Sequence, residues 1–232
     1  MTKGKLIVID GIDGSGKATQ VRLLAERLKK EKVKVKTTEF PNYEENFFGG
    51  LIGEYLAGAY GDFFFFFPRV GSVLYAEDRF ESKERLHKWL SEGFTVLIDR
   101  YASANQIHQG GKIKDIKERK KFLSWLDEME FSVFKIPKPD LVVYLDVPYE
   151  VSKSWLEKKI LLKKKKYLKG RVDVAEENLT YLKNSRESAL LLAKQNKNWS
   201  KVTCCKGMVC MSPEQVHEEV FATVNKRLKL VK

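Results

Sequence analysis

The chain has 232 residues, 43% hydrophobic and 32% charged, which suffices for a sizeable core without staples and excludes a miniprotein scaffold. Its formal net charge of +12, with a pI near 9.4, favours anionic partners: nucleotides, nucleic acid or acidic lipid. No apolar run approaches a membrane span and the N-terminal stretch lacks the apolar centre of a signal peptide, which excludes a membrane-spanning or secreted reading.

"KLIVID" reads as a buried strand. It runs into "GIDGSGKATQ", Gly11 to Gln20, which follows the phosphate-loop pattern G-x-x-x-x-G-K-[ST] except that Ala18 stands where Ser or Thr is expected. Gly11, Gly14 and Gly16 let the backbone turn sharply and aim N–H groups at phosphate oxygens, and Lys17 adds a point charge near the β/γ-phosphates. "TQVRLLAERLKK" follows with Val21, Leu24 and Leu28 on one helical face, so the positive helix N-terminus meets the same anion.

"VKVKTTEF" reads as a second, partly exposed strand, with "FPNY" at its carboxyl end, where open α/β sheets place ligands. The five phenylalanines Phe63 to Phe67 cannot all face one side of a helix or strand and carry no chemical reading. "VLYAEDRFESKERLHKWLSEG" is one helical stretch stopped at Gly93. "FTVLID", "LVVYLD" and "WSKVTCC" read as three more strands, and "LLKKKKYLKGRVD" is a basic run between two long helical patterns. "SPEQVHEEVFATVNKRL" opens with Ser212 as N-cap, Pro213 at the first position and Gln215 at the third, a capping box. Strand alternating with helix predicts an α/β protein with a parallel sheet covered on both faces, in one domain spanning 1–232. Cys204, Cys205 and Cys210 are odd in number and clustered late, so they read as reduced thiols of a cytoplasmic protein.

"GIDGSGKATQ", "FPNY", "YAEDR", "DRYASANQIHQGG" and "PKPDLVVYLDV" occur in the order seen in thymidylate kinases, and the resemblance runs from about Lys5 through the last helix. It implies a P-loop nucleoside-monophosphate kinase: three α/β/α layers, a five-stranded parallel sheet and a small helical lid at about 160–174. The activity implied is transfer of the ATP γ-phosphoryl group to dTMP, with Mg²⁺, in a homodimer packed near "VGSVLYA", with neither nucleic acid nor membrane as partner. ATP falls to Gly11, Asp13, Gly14, Ser15, Gly16, Lys17, Ala18 and Thr19. Asp13 resembles the family aspartate that takes the sugar 3′-OH of dTMP, Phe40 the residue that stacks on thymine, and Tyr43 lies near the acceptor phosphate. Arg79, with Tyr75 one helical turn before it, resembles the arginine at the base edge, and Asn105 is placed to pair with the base. Asp99 resembles the Walker-B-type aspartate that holds Mg²⁺ directly or through water, and Arg100 the arginine that clamps the dTMP phosphate and the transferring group. Thymidylate kinases carry a further catalytic arginine either in the phosphate loop or in the lid. This loop has none, so Arg171 is assigned to the lid, with Lys166 and Lys169 as helpers.

Three departures mark this chain. Many relatives have Arg where Asn42 stands and Tyr where His108 stands, which bears on phosphate charge and on deoxyribose selectivity. Ala18 leaves the metal without a side-chain hydroxyl, and a water held with Asp99 would complete the octahedron. The alternatives are a kinase for another pyrimidine monophosphate, a catalytically silent nucleotide-binding module, and a nucleic-acid binder, for which Tyr167 in the basic run is thin support.

Overall fold

The computed structural model describes residues 3–61, 67–162 and 179–231. The stretches read as strands become β1 (Lys5–Asp10), β2 (Val35–Glu39), β3 (Thr95–Asp99), β4 (Leu141–Asp146) and β5 (Trp199–Thr203). They pair in parallel in the order β2-β3-β1-β4-β5. The longer helices are α1 (Lys17–Lys30), α2 (Phe47–Leu56), α3 (Pro68–Glu81), α4 (Lys83–Ser91), α5 (Ile116–Asp127), α6 (Tyr149–Leu162), α7 (Leu179–Gln195) and α8 (Pro213–Leu228), and short helical turns span Ala102–Ala104, Asn105–Gln109, Gly110–Lys112 and Glu128–Val133.

The central strands read as continuous apolar runs because helices cover both faces of the sheet. Ile7 and Ile9 of β1 pack with Leu24 and Leu28 of α1 and with Val216, Val220 and Val224 of α8. Leu6 and Val8, which point the other way, pack with Leu86 and Leu90 of α4 and Leu192 of α7. Edge strand β2 buries only Val35, as its polar sequence predicts. The capping box of α8 forms: Ser212 Oγ accepts from Gln215 N at 3.2 Å, and Gln215 Oε1 accepts from Ser212 N at 2.8 Å.

Two expectations are corrected. The stretch from Val73 to Gly93 is not one helix but two, broken at Ser82. Ser82 is buried there, and its hydroxyl takes bonds from Asn46 Nδ2 and Arg85 Nη2, both at 3.1 Å. The cysteines are not all reduced. "WSKVTCC" leaves the sheet after Thr203, and β6 (Cys205–Lys206) pairs antiparallel with β7 (Val209–Cys210) around Gly207. The hairpin juxtaposes Cys205 and Cys210 in a disulfide, and Cys204 alone remains a buried free thiol. A pairing partner only five residues away, reached through a tight turn, leaves little trace in cysteine spacing.

Among the described residues no helix is long and apolar enough to cross a membrane. Most of the proposed lid, with Lys166, Lys169 and Arg171, lies outside the described residues, as do Phe63 to Phe66. Phe67 precedes α3 and is exposed.

The strand order decides where a ligand sits. From β1 the chain crosses to β2 on one side, and from β3 it crosses to β4 on the other, so connections diverge above β1. The carboxyl ends there deliver Gly11, Phe40 and Arg100 to one crevice.

Candidate active site

The turn after β1 is built for an anion. Gly14 and Gly16 adopt φ of 77° and 89°, where a side chain is strained. A Cβ on Gly11 would lie 2.4 Å from Ser15 Oγ. The first turn of α1 carries no acidic residue and Gly16 offers no side-chain cap, so the helix N-terminus keeps its donors for a ligand. Lys17 is buried and donates from Nζ to the carbonyls of Gly11 at 3.0 Å and Ile12 at 2.9 Å. Burial, then the Arg100 charge, pushes the lysine pKa down against the pull of Asp13 and Asp99. Ala18 is exposed and Thr19 half-buried on the first turn of the helix. Asp10 anchors the loop from beneath: its carboxylate accepts from Gly11 N at 2.8 Å and Ser103 Oγ at 2.6 Å. The sequence reading missed Asp10, although a carboxylate closing a buried strand was a visible signal.

Arg100 follows β3 with φ 63°, a left-handed conformation uncommon for a residue with a side chain. Its guanidinium is gripped from two sides. Nη2 donates to Asp13 Oδ1 at 2.7 Å and Nη1 donates to His108 Nε2 at 2.7 Å. Arginine has only donors, so His108 Nε2 is the acceptor and the ring proton sits on Nδ1, facing Ser185 Oγ at 3.3 Å. Burial, then the Arg100 charge, holds His108 well below the usual histidine value, so it is neutral at pH 7. The position where many relatives have Tyr therefore serves here as the arginine's acceptor.

The cleft extends to α3. Asp13, Phe40, Tyr43, Tyr75, Arg79, Arg100, Asn105 and His108 all line it, so the eight residues assigned to the acceptor nucleotide converge on one space. Phe40 is both core and lining: it is buried and leans on Tyr101, with ring centroids 5.7 Å apart. Arg79 is not a member of an exposed Asp–Arg pair. It is buried and donates from Nε to Glu130 Oε2 at 2.8 Å and from Nη2 to Glu130 Oε1. Its neighbour Asp78 turns away to accept from Asn42 N at 3.1 Å and Asn46 Nδ2 at 2.8 Å. Asn42 itself donates from Nδ2 to Glu45 at 2.8 Å and so shapes the "FPNY" turn. Glu130 was missed as well: no motif or spacing in the sequence singles it out.

A second groove runs along α1 and β2, lined by Ala18, Thr38, Glu39 and Asp99 among others. Asp99 Oδ1 is buried there without a hydrogen-bond partner. Burial pushes the Asp99 pKa up against the opposing charges of Lys17 and Arg100. A hard cation with several waters fits this donor set: one anionic oxygen beside a residue with no side chain beyond Cβ. No cluster of three or more His, Cys, Asp or Glu able to hold a metal occurs among the described residues.

The family profile of thymidylate kinases matches residues 9–220 of the chain. A Plasmodium falciparum thymidylate kinase is 34% identical over 146 residues, covering 63% of this chain and 63% of that protein, which is less than two thirds of its length. A probable thymidylate kinase of Pyrococcus abyssi is 31% identical over 228 residues, covering 97% of this chain and 98% of the relative. In fold, a solved thymidylate kinase from Candida albicans matches with a TM-score of 0.71 at 21% identity, over 98% of this chain and 94% of that one.

Proposed function

The chain belongs to the thymidylate kinase family, and from that premise we propose that it transfers the γ-phosphoryl group of ATP to dTMP. An oxygen of the dTMP phosphate forms the new bond to the γ-phosphorus, the bond to the β-phosphate oxygen breaks, and dTDP and ADP result. The observation that carries the reading is the Asp13–Arg100 contact, which ties the phosphate loop at 2.7 Å to the cleft that Phe40, Arg79 and Asn105 line. Two phosphate groups brought to that junction share one guanidinium.

The loop amides and Lys17 bind and orient the donor phosphates. Arg100 neutralises charge between donor and acceptor, held in place by Asp13 and His108. Phe40, Tyr75, Arg79 and Asn105 take the base, while Asp13 and Tyr43 face sugar and phosphate. Mg²⁺, when bound, would be held by Asp99 directly or through water and would offset the charge that develops on the phosphates. Arg171 is the proposed lid arginine, assisted by Lys166 and Lys169. A cytoplasmic location accords with this activity.

A homodimer is supported by Val70, Val73 and Phe80 of α3, which leave an apolar stripe at helical spacing 42%, 38% and 42% exposed. Light scattering at micromolar concentration should give twice the chain mass, and a monomer would contradict the proposal.

ADP release should be measured across all nucleoside monophosphates and their deoxy forms. Expected is a kcat/KM for dTMP about 100-fold above that for dCMP, since a mismatched base leaves buried polar groups unpaired. Equal rates with dCMP and dTMP would sink the assignment. His108 in place of the usual Tyr favours a second reading, a kinase less strict about the 2′-OH, which the ribonucleotides in the same screen decide.

A further inference from the structure

Glu130 is 1% exposed, behind the base end of the cleft rather than in it. Its oxygens accept from Arg79 Nε and Nη2, and Oε1 accepts in addition from Asn105 Nδ2 at 3.1 Å. The Ser72 carbonyl accepts from the same Nδ2 at 3.0 Å. An amide nitrogen has two protons, and both are committed. Turning the Asn105 amide over would set Oδ1 against a carboxylate oxygen and a carbonyl oxygen, three acceptors without a donor. Oδ1 is thus the atom left for the cleft that Asn105 lines, and it accepts nothing from the described residues. Arg79 lines the same end, and with Nε–H and one Nη2–H held by Glu130, its remaining N–H groups are left for a ligand.

We propose that Glu130 is a positioning residue that sets the polarity of base recognition: it holds Asn105 with its oxygen, and Arg79 with its donors, toward the bound base. An edge with a ring N–H beside a carbonyl, as in thymine and uracil, matches both groups. On cytosine the ring nitrogen is an acceptor facing Asn105 Oδ1, and the amino group is a donor facing the guanidinium. Both contacts then set like against like. Specificity between keto and amino pyrimidines is thereby placed in a buried residue that never touches the nucleotide. The inference rests on the reading of the cleft as a pyrimidine monophosphate site.

The test is the dTMP:dCMP ratio of kcat/KM in wild type, Glu130→Gln and Glu130→Asp, with dUMP as a keto control and calorimetric binding of all three nucleotides alongside. Glu130→Gln brings an NH₂ group against Arg79 and Asn105 and lets the Asn105 amide turn over. Its ratio should fall by about 30-fold, through a raised KM for dTMP, while kcat for dTMP changes by less than about threefold. Glu130→Asp keeps the charge but withdraws it by one methylene, so its ratio should fall by about tenfold, and dUMP should track dTMP throughout. A merely structural role lowers kcat/KM for dTMP and dCMP by the same factor, and that result overturns the proposal. Should Glu130→Gln not fold, Glu130→Asp decides alone, and a wild-type ratio in it overturns the proposal equally. A wild type that binds dTMP over dCMP without phosphorylating it fails the kinase reading only, and the binding ratios of the variants still judge Glu130.

Discussion

Arg100→Ala is expected to lower kcat on the order of 10³-fold, the largest loss of any single cleft variant, because it removes charge stabilisation where the phosphoryl group moves. The geometry gives the reason to expect that lysine is no substitute. The guanidinium reaches Asp13 and His108 at once, 2.7 Å from each, and a single ammonium cannot span both acceptors while facing two phosphates. Arg100→Lys should therefore recover only a small part of the loss. Arg171→Ala should cost less than Arg100→Ala, since neighbouring lysines of the basic run partly replace its charge. An unaffected Arg171→Ala with a severe Lys166→Ala would relocate the lid role. Single-turnover rates at saturating ATP and dTMP separate these losses from binding.

The same grip has a pH signature. His108 is held neutral by burial and by the Arg100 charge, well below the 6.5 of an ordinary histidine. Below that pH the unfolded chain takes up a proton that the folded chain refuses, so stability falls as pH falls, with a slope approaching ~1.4 kcal/mol per pH unit. His108→Gln keeps an acceptor for Arg100 without the titration. Its urea midpoint should drop less than that of wild type between about pH 6.5 and pH 5. Parallel losses in both proteins would mean that another group titrates.

The sheet was legible because its physics is local. Short, mostly apolar or β-branched runs bounded by Gly, Pro or charge have few alternatives once helical patterns separate them. The phosphate loop was legible for a related reason, since its glycines, Lys17 and flanking elements lie within one short stretch. What stayed hidden depends on contacts between distant segments. Glu130 bonds Arg79 across 51 positions, and Asp10 bonds Ser103 across 93. In sequence Glu130 is one more acidic residue, and Asp10, though visible at the end of a buried strand, shows nothing of its partner. The break at Ser82 is of the same kind, because Asn46, which bonds its hydroxyl, lies 36 residues earlier. The family resemblance can nominate residues such as Phe40, Arg79 and Asn105 for one site, but the orientation of an amide or a guanidinium is set by partners that no motif reveals.

Asp99→Ala should lose at least ~100-fold in rate at physiological Mg²⁺, the kinetic equivalent of the several kcal/mol that a metal on the transferring phosphates supplies. The expectation rests on Asp99 Oδ1, buried without a hydrogen-bond partner, in a groove that Ala18 also lines. Where other phosphate loops place a hydroxyl on the ion, this chain offers a methyl group, so on this proposal Asp99 would carry more of the metal's fixation. Ala18→Thr restores the hydroxyl. The Mg²⁺ concentration for half-maximal rate should then fall, and activity should stay within roughly tenfold of wild type, a barrier change under ~1.4 kcal/mol. Because both groups would serve one ion, their effects should not add: Asp99→Ala should be markedly milder in the Ala18→Thr background than alone. The measurement is the Mg²⁺ dependence of dTMP phosphorylation for wild type, both single variants and the double. Additive losses would place Asp99 outside the metal's coordination. A wild type inert at every Mg²⁺ concentration, with turnover restored by Ala18→Thr, would make the natural loop a binding site that has lost its chemistry.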